Sequence, residues 1–250
     1  MISSLVPGYF LNRLRCLKHN LLEKNDFKVY YEKDYFKVIA KDFSFKSYDN
    51  PYYDVLVPLR GYLKEYQLRP GDAIIDGGAY TGHFSLMASK LVGAKGKVIA
   101  FEPDEDNYKT LLSNIKLNKA KNITAVKKGL WSKDDKLVFC SESSKGSSFC
   151  KDGRGSKGLK VPVTSIDSEL RRRKVKKLDF VKMDIEGAEI KAVEGSKEIM
   201  KKSKPKMAIA SYHVVDGKKT YIALEKLLKK LAYTAKTGFK RHLTTYAEAK

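Results

Sequence analysis

The stretch AIIDGGAYTGHFSLMASKL, residues 73–91, decides the fold that this sequence predicts. A short apolar run ends at Asp76, passes through Gly77, Gly78 and Gly82, and continues with apolar residues at helical spacing. Strand, glycine turn and helix in this order are typical of the first unit of a Rossmann-like α/β sheet. Glycine suits the turn because a Cβ atom would block both its backbone angles and the close approach of a ligand.

Strand and helix patterns alternate beyond this unit, which predicts βαβ connections and a mostly parallel sheet. The segments predicted as strands are 96–102, 122–126, 136–140, 159–164 and 207–213, and those predicted as helices are 104–117, 167–174 and 217–231. Residues 178–190 are predicted as a strand followed by a helix, and 232–249 as two strands joined by a turn. The loop 141–158, rich in Ser, Gly and Lys, is expected near a ligand or partner.

The first 66 residues form an extension before this pattern. Residues 1–22 predict an amphipathic helix, and residues 27–40 alternate like a hairpin. One face of the helix carries Leu5, Phe10, Leu14, Leu17 and Leu21, and another carries Arg13, Arg15 and Lys18. The helix either contacts a membrane surface or a partner, or packs as a lid on the domain, which is the commoner case.

An aromatic segment, residues 42–68, directly precedes the glycine turn. Its rings are Phe43, Phe45, Tyr48, Tyr52, Tyr53, Tyr62 and Tyr66. They either line a substrate pocket over the mouth of the turn or belong to the core, and the sequence favours neither.

The composition excludes several classes of protein. No run approaches 18 apolar residues and the start lacks a secretion-signal pattern, so a cytoplasmic protein without transmembrane helices is expected. Cys16, Cys140 and Cys150 are odd in number and form no CxxC pattern, which argues against a zinc site and a disulfide framework.

The net charge of +21, from 50 Lys and Arg against 29 Asp and Glu, raises the question of an anionic partner. RNA, an anionic membrane surface or a phosphorylated substrate would be attracted by such a field. The basic residues are spread along the chain, however, and only 171–174 form a dense cluster. A solubility role is therefore favoured over nucleic-acid binding.

The acidic residue at the tip of the second strand, Glu102, indicates a nucleoside ligand. It lies 20 residues beyond Gly82, where a carboxylate accepts hydrogen bonds from both ribose hydroxyls. The dinucleotide pattern G-x-G-x-x-G is broken, since Ala79 takes the second glycine position counted from Gly77. The remaining D-x-G-x-x-x-G, which begins at Asp76, suits a ligand with an amino group and a carboxylate beside a ribose, namely S-adenosylmethionine.

Five segments together resemble the FkbM-type family of class I S-adenosylmethionine-dependent methyltransferases. They are IIDGGAYTGHFSL (74–86), AFEPDEDNYKTLLSNIKLN (100–118), NIT (122–124), LDFVKMDIEGAE (178–189) and RHLTTYA (241–247). The resemblance covers roughly residues 70–250, and F-E-P followed by K-x-D-x-E-G-x-E is its distinctive part.

The resemblance implies a Rossmann-like sheet of seven strands, the last antiparallel, with helices on both faces. It also implies methyl transfer to a hydroxyl of a small molecule or sugar by a domain at 67–250. The resemblance does not cover residues 1–66, which we expect to form a helical and hairpin cap that serves as a substrate lid. The residues expected to bind the cofactor are Asp76, Gly78, Ala79 and Gly82 at the methionine end, Glu102 at the ribose, Gly129 and Leu130 at the adenine, and Asp184 at the sulfonium.

The motif K-x-D-x-E-G-x-E places acidic residues at the carboxyl end of a strand, where open α/β sheets bind ligands. Asp184 and Glu186 are expected to contact the sulfonium side of the cofactor or the acceptor. Lys182 is expected to form an ion pair with Asp184, because alternate residues of a strand share a face. Glu189 is better explained by the helix dipole, and a metal is not expected because no histidine has a suitable spacing.

His213, at the end of a predicted strand, is the candidate general base because imidazole titrates near neutrality. His83 lies too close to the cofactor for this role, and His242 is expected to pack. Amine methyltransferases carry [ND]-P-P-[YF] where this chain has residues 184–187, which favours a hydroxyl acceptor. An RNA-directed methyltransferase, and a binding protein without turnover, remain alternatives.

Overall fold

A computed structural model describes residues 7–22, 27–141, 147–149, 159–215 and 217–250. In chain order the elements are α1 (Pro7–Leu22), β1 (Lys28–Glu32), β2 (Tyr35–Ile39), β3 (Ser44–Ser47), α2 (Pro51–Asp54), α3 (Leu56–Tyr62), β4 (Ala73–Gly77), α4 (His83–Val92), β5 (Lys97–Phe101), α5 (Glu105–Leu117), β6 (Ile123–Val126), β7 (Gly129–Leu130), β8 (Asp135–Ser141), β9 (Ser147–Phe149), β10 (Leu159–Thr164), α6 (Ile166–Arg172), β11 (Phe180–Met183), α7 (Glu189–Glu194), α8 (Lys197–Ser203), β12 (Lys206–Ala210), β13 (Val214–Val215), β14 (Lys218–Lys219), α9 (Thr220–Lys230), β15 (Tyr233–Gly238) and β16 (Thr244–Ala249).

The central sheet has seven strands in the order β15-β16-β12-β11-β4-β5-β6. All neighbours pair in parallel except β16, which is antiparallel to both β12 and β15. This confirms the predicted α/β sheet with an antiparallel last strand. Because β4, β5, β11 and β12 are parallel, their carboxyl ends meet at one edge of the sheet, where a ligand site is expected.

Two hydrophobic layers cover the faces of this sheet. Adjacent residues of a strand point to opposite faces. Ile74 accordingly belongs to one buried cluster with Phe84, whereas Ile75 belongs to the other with Ile99. The continuous apolar run at the start of β4 is therefore the signature of a strand that is buried on both sides.

The N-terminal extension contains a small antiparallel sheet, β1-β2-β3, which confirms the predicted hairpin. The side-chain amide of Asn114 on α5 both accepts from and donates to the backbone of Lys46, at 2.9 and 3.0 Å. Asn118 does the same with Ser44, at 3.0 and 2.6 Å. These amide bonds attach the extension to the main domain.

Helix α1 packs against β1, as one of the two interpretations of the sequence expected, but its apolar face is exposed. Cys16 and His19 are buried, whereas Phe10, Leu17 and Leu21 are 65%, 55% and 74% exposed. The side-chain amide of Asn20 forms two hydrogen bonds with the backbone of Val29 on β1, at 2.8 and 2.9 Å. These bonds set the rotation of the helix. Leu5 lies outside the described residues.

The predicted strands at 136–140 and 159–164 are confirmed as β8 and β10, which pair antiparallel beside the central sheet. Most of the loop between them lies outside the described residues, as do Cys150 and the side chain of Cys140. None of the described helices is long and apolar enough to cross a lipid bilayer.

Candidate functional site

The glycine turn after β4 is shaped by close contact with neighbouring backbone. Gly78 has a φ of +68°, and a Cβ atom there would lie 1.8 Å from the carbonyl oxygen of Asp184. Gly82 has a φ of +89°, and its Cβ would meet Leu111 at 2.5 Å. Glycine is therefore required at both positions by the protein itself, in addition to any ligand.

Glu102 lies directly against this turn. Its Oε2 accepts a 2.7 Å hydrogen bond from the N–H of Tyr80, and its Oε1 accepts one of 3.0 Å from the N–H of Asp104. Burial raises the pKa of Glu102 to about 7, although these two backbone hydrogen bonds oppose the shift. The neighbouring Ala79 is buried and donates its N–H to Phe101 at the end of β5, at 2.9 Å.

Asp76 lies beneath the turn in a fully buried ion pair. Its Oδ1 is 2.9 Å from Lys182 Nζ, and its Oδ2 accepts a 2.6 Å hydrogen bond from Ser85. Burial raises the pKa of Asp76, and the Lys182 ammonium opposes that shift. With both oxygens engaged and no exposed surface, Asp76 supports the turn from within the protein.

Lys182 forms a different ion pair from the predicted one. It was expected to pair with Asp184, but it pairs with Asp76, because these two residues are in register on the neighbouring strands β11 and β4. Its ammonium also donates to the carbonyl oxygens of Gly77 and Gly78, at 3.2 and 2.7 Å. The pair therefore ties the turn to the middle of the sheet.

Gly129 and Leu130, predicted at the adenine side, form the short strand β7 and are buried. Leu130 packs under the turn, since its Cδ1 would be 2.7 Å from a Cβ on Gly77. The structure thus brings this pair close to the glycine turn.

A second cluster of polar groups surrounds His213, three residues beyond the end of β12. Its Nδ1 is 2.9 Å from Glu189 Oε1. Its Nε2 is 3.5 Å from Asp184 Oδ1 and 3.4 Å from Glu186 Oε2. Glu186 reaches the cluster through a left-handed backbone conformation, with a φ of +54°.

The charges of this cluster are strongly coupled. Burial lowers the pKa of His213, but Glu189, Asp184 and Glu186 outweigh burial and raise it to about 9. Burial likewise raises the pKa of Asp184, but hydrogen bonding to His242 and nearby positive charges hold it well below its usual range. The imidazole therefore carries a proton at neutral pH in this state, and its role as a base stays a prediction.

Two tyrosines and a histidine hold Asp184, and of these only Tyr62 was a candidate pocket residue in the sequence. Tyr62 donates its O–H to Oδ2 at 2.7 Å, and Tyr212 donates to Oδ1 at 3.2 Å. His242 Nε2 is 3.5 Å from Oδ2. Tyr212 directly precedes His213, and this adjacency was a signal available in the sequence.

His83, at the start of α4, is buried, and burial lowers its pKa to about 3. It therefore stays neutral at physiological pH and is a weak base, and its predicted closeness to the cofactor stays a prediction.

The aromatic segment belongs mostly to the core. Phe45 and Tyr62 are fully buried, and Phe43, Tyr52 and Tyr66 pack against the core, whereas Tyr48 is exposed. The side chain of Tyr53 lies outside the described residues. The segment nevertheless contacts the site, since Tyr80 O–H donates a short hydrogen bond to Asp49 and Tyr62 reaches Asp184.

Comparison with known proteins gives one family and a shared fold. The profile of the methyltransferase FkbM domain matches residues 76–236. A search of curated proteins gives no match.

Among solved structures, the methyltransferase FkbM of Methylobacillus flagellatus KT is 22% identical with a TM-score of 0.57, covering 74% of this chain and 45% of its own. The chain thus spans less than half the length of that protein. Aeropyrum pernix fibrillarin, solved with natively bound S-adenosyl-L-methionine, is 13% identical with a TM-score of 0.52, covering 87% and 94%. At these identities the similarity establishes the fold.

Proposed function

The chain belongs to the FkbM family of S-adenosylmethionine-dependent methyltransferases, and we propose that it methylates a hydroxyl group of a small molecule or sugar. The observation that carries the proposal is the hydrogen bond from the Tyr80 N–H to Glu102. It joins the glycine turn to the acidic end of β5. A nucleoside with an amino-acid tail needs these two features side by side.

The residues at the turn fit this cofactor by their chemistry. Glu102 offers carboxylate oxygens to the ribose hydroxyls. A dinucleotide would need glycine in place of Ala79, counted from Gly77, or in place of both Tyr80 and His83, counted from Gly78. S-adenosylmethionine supplies an electrophilic methyl group when it is bound. The residues that we assign to its binding are Asp76, Gly78, Ala79, Gly82, Glu102, Gly129, Leu130 and Asp184. Of these, Asp76 acts from beneath the turn, through Lys182 and Ser85.

The acceptor side is formed by Asp184, Glu186 and His213. This cluster adjoins the turn, since the carbonyl oxygen of Asp184 fills the space beside Gly78. The two carboxylates are suited to hold an acceptor hydroxyl. His213 is the proposed base for its proton, which requires that the imidazole first loses the proton that it carries at neutral pH. A positioned base is worth about 10²–10⁴-fold in rate.

We further propose that residues 1–66 cap the acceptor side. Two contacts support this: Asp49 binds the hydroxyl of Tyr80 in the turn, and Tyr62 binds Asp184. A cap joined to both halves of the site would restrict which acceptors enter.

An RNA acceptor is less well supported. The net charge of +21 favours it, but the three arginines of the densest basic cluster, residues 171–174, are already paired. Arg171 pairs with Glu198 at 2.9 Å, and both Arg172 and Arg173 pair with Glu169, at 2.8 and 2.7 Å. These guanidinium groups would have to leave their carboxylates to bind phosphates.

Labelled methyl transfer tests the proposal. The full chain is incubated with S-adenosylmethionine carrying a labelled methyl group and with sugars, phenols or RNA. We expect label in a hydroxyl compound and none in RNA. Label in RNA alone would support the rival enzyme, and tight cofactor binding without transfer to any compound would support a binding protein.

A further inference from the structure

Three possible metal-ligand atoms converge beside the glycine turn. One oxygen each from Asp184 and Glu186 and the Nε2 of His213 all lie within 4.8 Å of one another. The two distances from Nε2 to the oxygens, 3.5 and 3.4 Å, are longer than hydrogen bonds between such atoms. Donors about 2.1 Å from a common ion and at roughly 90–110° to each other are separated by about 3.0–3.4 Å. The spacing therefore suits a small cation.

His213 gives an independent indication of a ligand. The residue is only 9% exposed, and its Nε2, like its Nδ1, has no partner in hydrogen-bond geometry among the described residues. This nitrogen points between Asp184 and Glu186. A buried imidazole nitrogen in such a position is costly unless a proton or a cation satisfies it together with the carboxylates.

The groups behind the three ligand atoms resemble the outer shell of a metal site. The other ring nitrogen of His213 is 2.9 Å from the buried carboxylate of Glu189. Metal-binding histidines commonly carry a carboxylate at this position, which orients the ring. Asp184 is oriented in the same way by Tyr62, whose hydroxyl binds the oxygen on the far side from His213, at 2.7 Å.

We propose that Asp184, Glu186 and His213 bind a divalent first-row transition-metal ion. Two carboxylates alone would suit Mg²⁺ or Ca²⁺, but an imidazole favours ions such as Mn²⁺, Co²⁺ or Zn²⁺. The side chain of Glu186 is 40% exposed, which leaves the outer side of the site open. The sequence argued against a metal because it contains no local histidine spacing, and the fold supplies His213 from a different strand end.

The position of the ion would matter for the acceptor, and an ion on Nε2 would take the place of His213 as the base, because a coordinated nitrogen cannot accept a proton. Asp184 adjoins the turn at Gly78, so an ion in this site would stand between the cofactor site and the cap. Only this role, the binding of acceptor oxygen atoms, rests on the proposed methyltransferase function. Metal binding itself does not.

Spectroscopic titration with Co²⁺ tests the proposal without an activity measurement. The full chain is freed of metal with a chelator, dialysed and titrated while the visible absorption of Co²⁺ is recorded. We expect one ion per chain, with ligand-field bands that change in His213→Gln. Affinity should fall at least about tenfold in His213→Gln and Glu186→Gln, and about 10–100-fold in Glu189→Gln. Glu194→Gln, an exposed carboxylate on the same helix, is the matched control and should bind as the wild type does.

No saturable binding, or the same affinity and bands in both His213→Gln and Glu186→Gln, would overturn the proposal. Circular dichroism checks that the variants fold. If the buried substitution His213→Gln prevents folding, the result for Glu186→Gln alone tests the proposal. Calorimetry of the metal-free protein with S-adenosylmethionine separates the two claims. Co²⁺ binding without cofactor binding would leave the metal site standing and count against the methyltransferase assignment. Cofactor binding and methyl transfer by a protein that shows no Co²⁺ site would support the methyltransferase assignment and contradict the metal site.

Discussion

The backbone N–H of Tyr80 donates a 2.7 Å hydrogen bond to Glu102 Oε2, which joins the middle of the glycine turn to the end of the next strand. The two features that we propose to bind the two ends of the cofactor are thereby held at a fixed separation. Tyr80 makes this contact in a left-handed backbone conformation, with a φ of +52°. Backbone strain of this kind clusters at ligand-binding and active sites.

Cofactor affinity should fall as the pH is lowered below 7. Burial raises the pKa of Glu102 to about 7, so the free protein gains a proton there as the pH falls. The ribose hydroxyls bind best to the ionised form, and the dissociation constant should rise by about tenfold per pH unit below the pKa. Calorimetry between pH 5.5 and 8, a range that extends roughly one unit or more to either side of 7, measures the dissociation constant. Glu102→Gln removes the titrating group and should flatten the profile, and a wild-type profile already flat would contradict the explanation.

Gly78→Ala should destabilise the protein far more than Gly71→Ala. Both glycines have positive φ angles, +68° and +91°, but only a Cβ at Gly78 meets an atom within 4 Å among the described residues, the Asp184 carbonyl oxygen at 1.8 Å. Strain and overpacking each cost about 1–3 kcal/mol at Gly78, whereas Gly71→Ala carries the strain alone. Urea unfolding of both variants measures the difference. Equal losses of stability would mean that the turn can move away from Asp184.

Lys182→Met should lower the free energy of unfolding by about 3–5 kcal/mol, because it leaves the Asp76 carboxylate buried without its partner. The matched control is Lys191→Met, which breaks an exposed ion pair with Glu194 at the same N–O distance of 2.9 Å. That change should cost less than about 1 kcal/mol. Denaturant unfolding of both variants compares them, and similar small losses would contradict the structural role of the buried pair.

His213→Ala should lower turnover by about 10²–10⁴-fold, the usual contribution of a positioned acid or base. The dissociation constant of S-adenosylmethionine should change far less than turnover, because His213 lies against Asp184 at the proposed sulfonium end and not against Glu102 or the glycine turn, where most of the proposed cofactor contacts lie. Steady-state kinetics with the acceptor found in the labelling assay, together with calorimetry, separates the two effects. Undiminished turnover in His213→Ala would contradict the assignment of His213 to the acceptor site.

The sequence predicted the features that depend on neighbours along the chain. The turn at Gly78 and Gly82, the strand before it and Glu102 at the next strand end follow from local spacing and strand periodicity. Their proximity in space also follows, because parallel neighbouring strands end at the same edge of the sheet.

Contacts between segments that are far apart in the sequence could not be predicted from local patterns. Lys182 pairs with Asp76 because of the register between β4 and β11, which no local pattern encodes. His213 meets Asp184 through the order of β11 and β12, so the metal-ligand spacing is visible only in the fold. The face through which α1 packs could not be predicted from its own sequence either, because it depends on hydrogen bonds between Asn20 and Val29.

Calorimetric titration of the wild type and Glu102→Ala with S-adenosylmethionine, and of the wild type with NAD, tests the central claim most directly. The account predicts one molecule of S-adenosylmethionine per chain, no binding of NAD, and a dissociation constant about 10–100-fold higher in Glu102→Ala, from the loss of charged hydrogen bonds. Glu105→Ala, an exposed carboxylate at the start of α5, should bind like the wild type. Binding of NAD without S-adenosylmethionine, or unchanged affinity in Glu102→Ala, would contradict it.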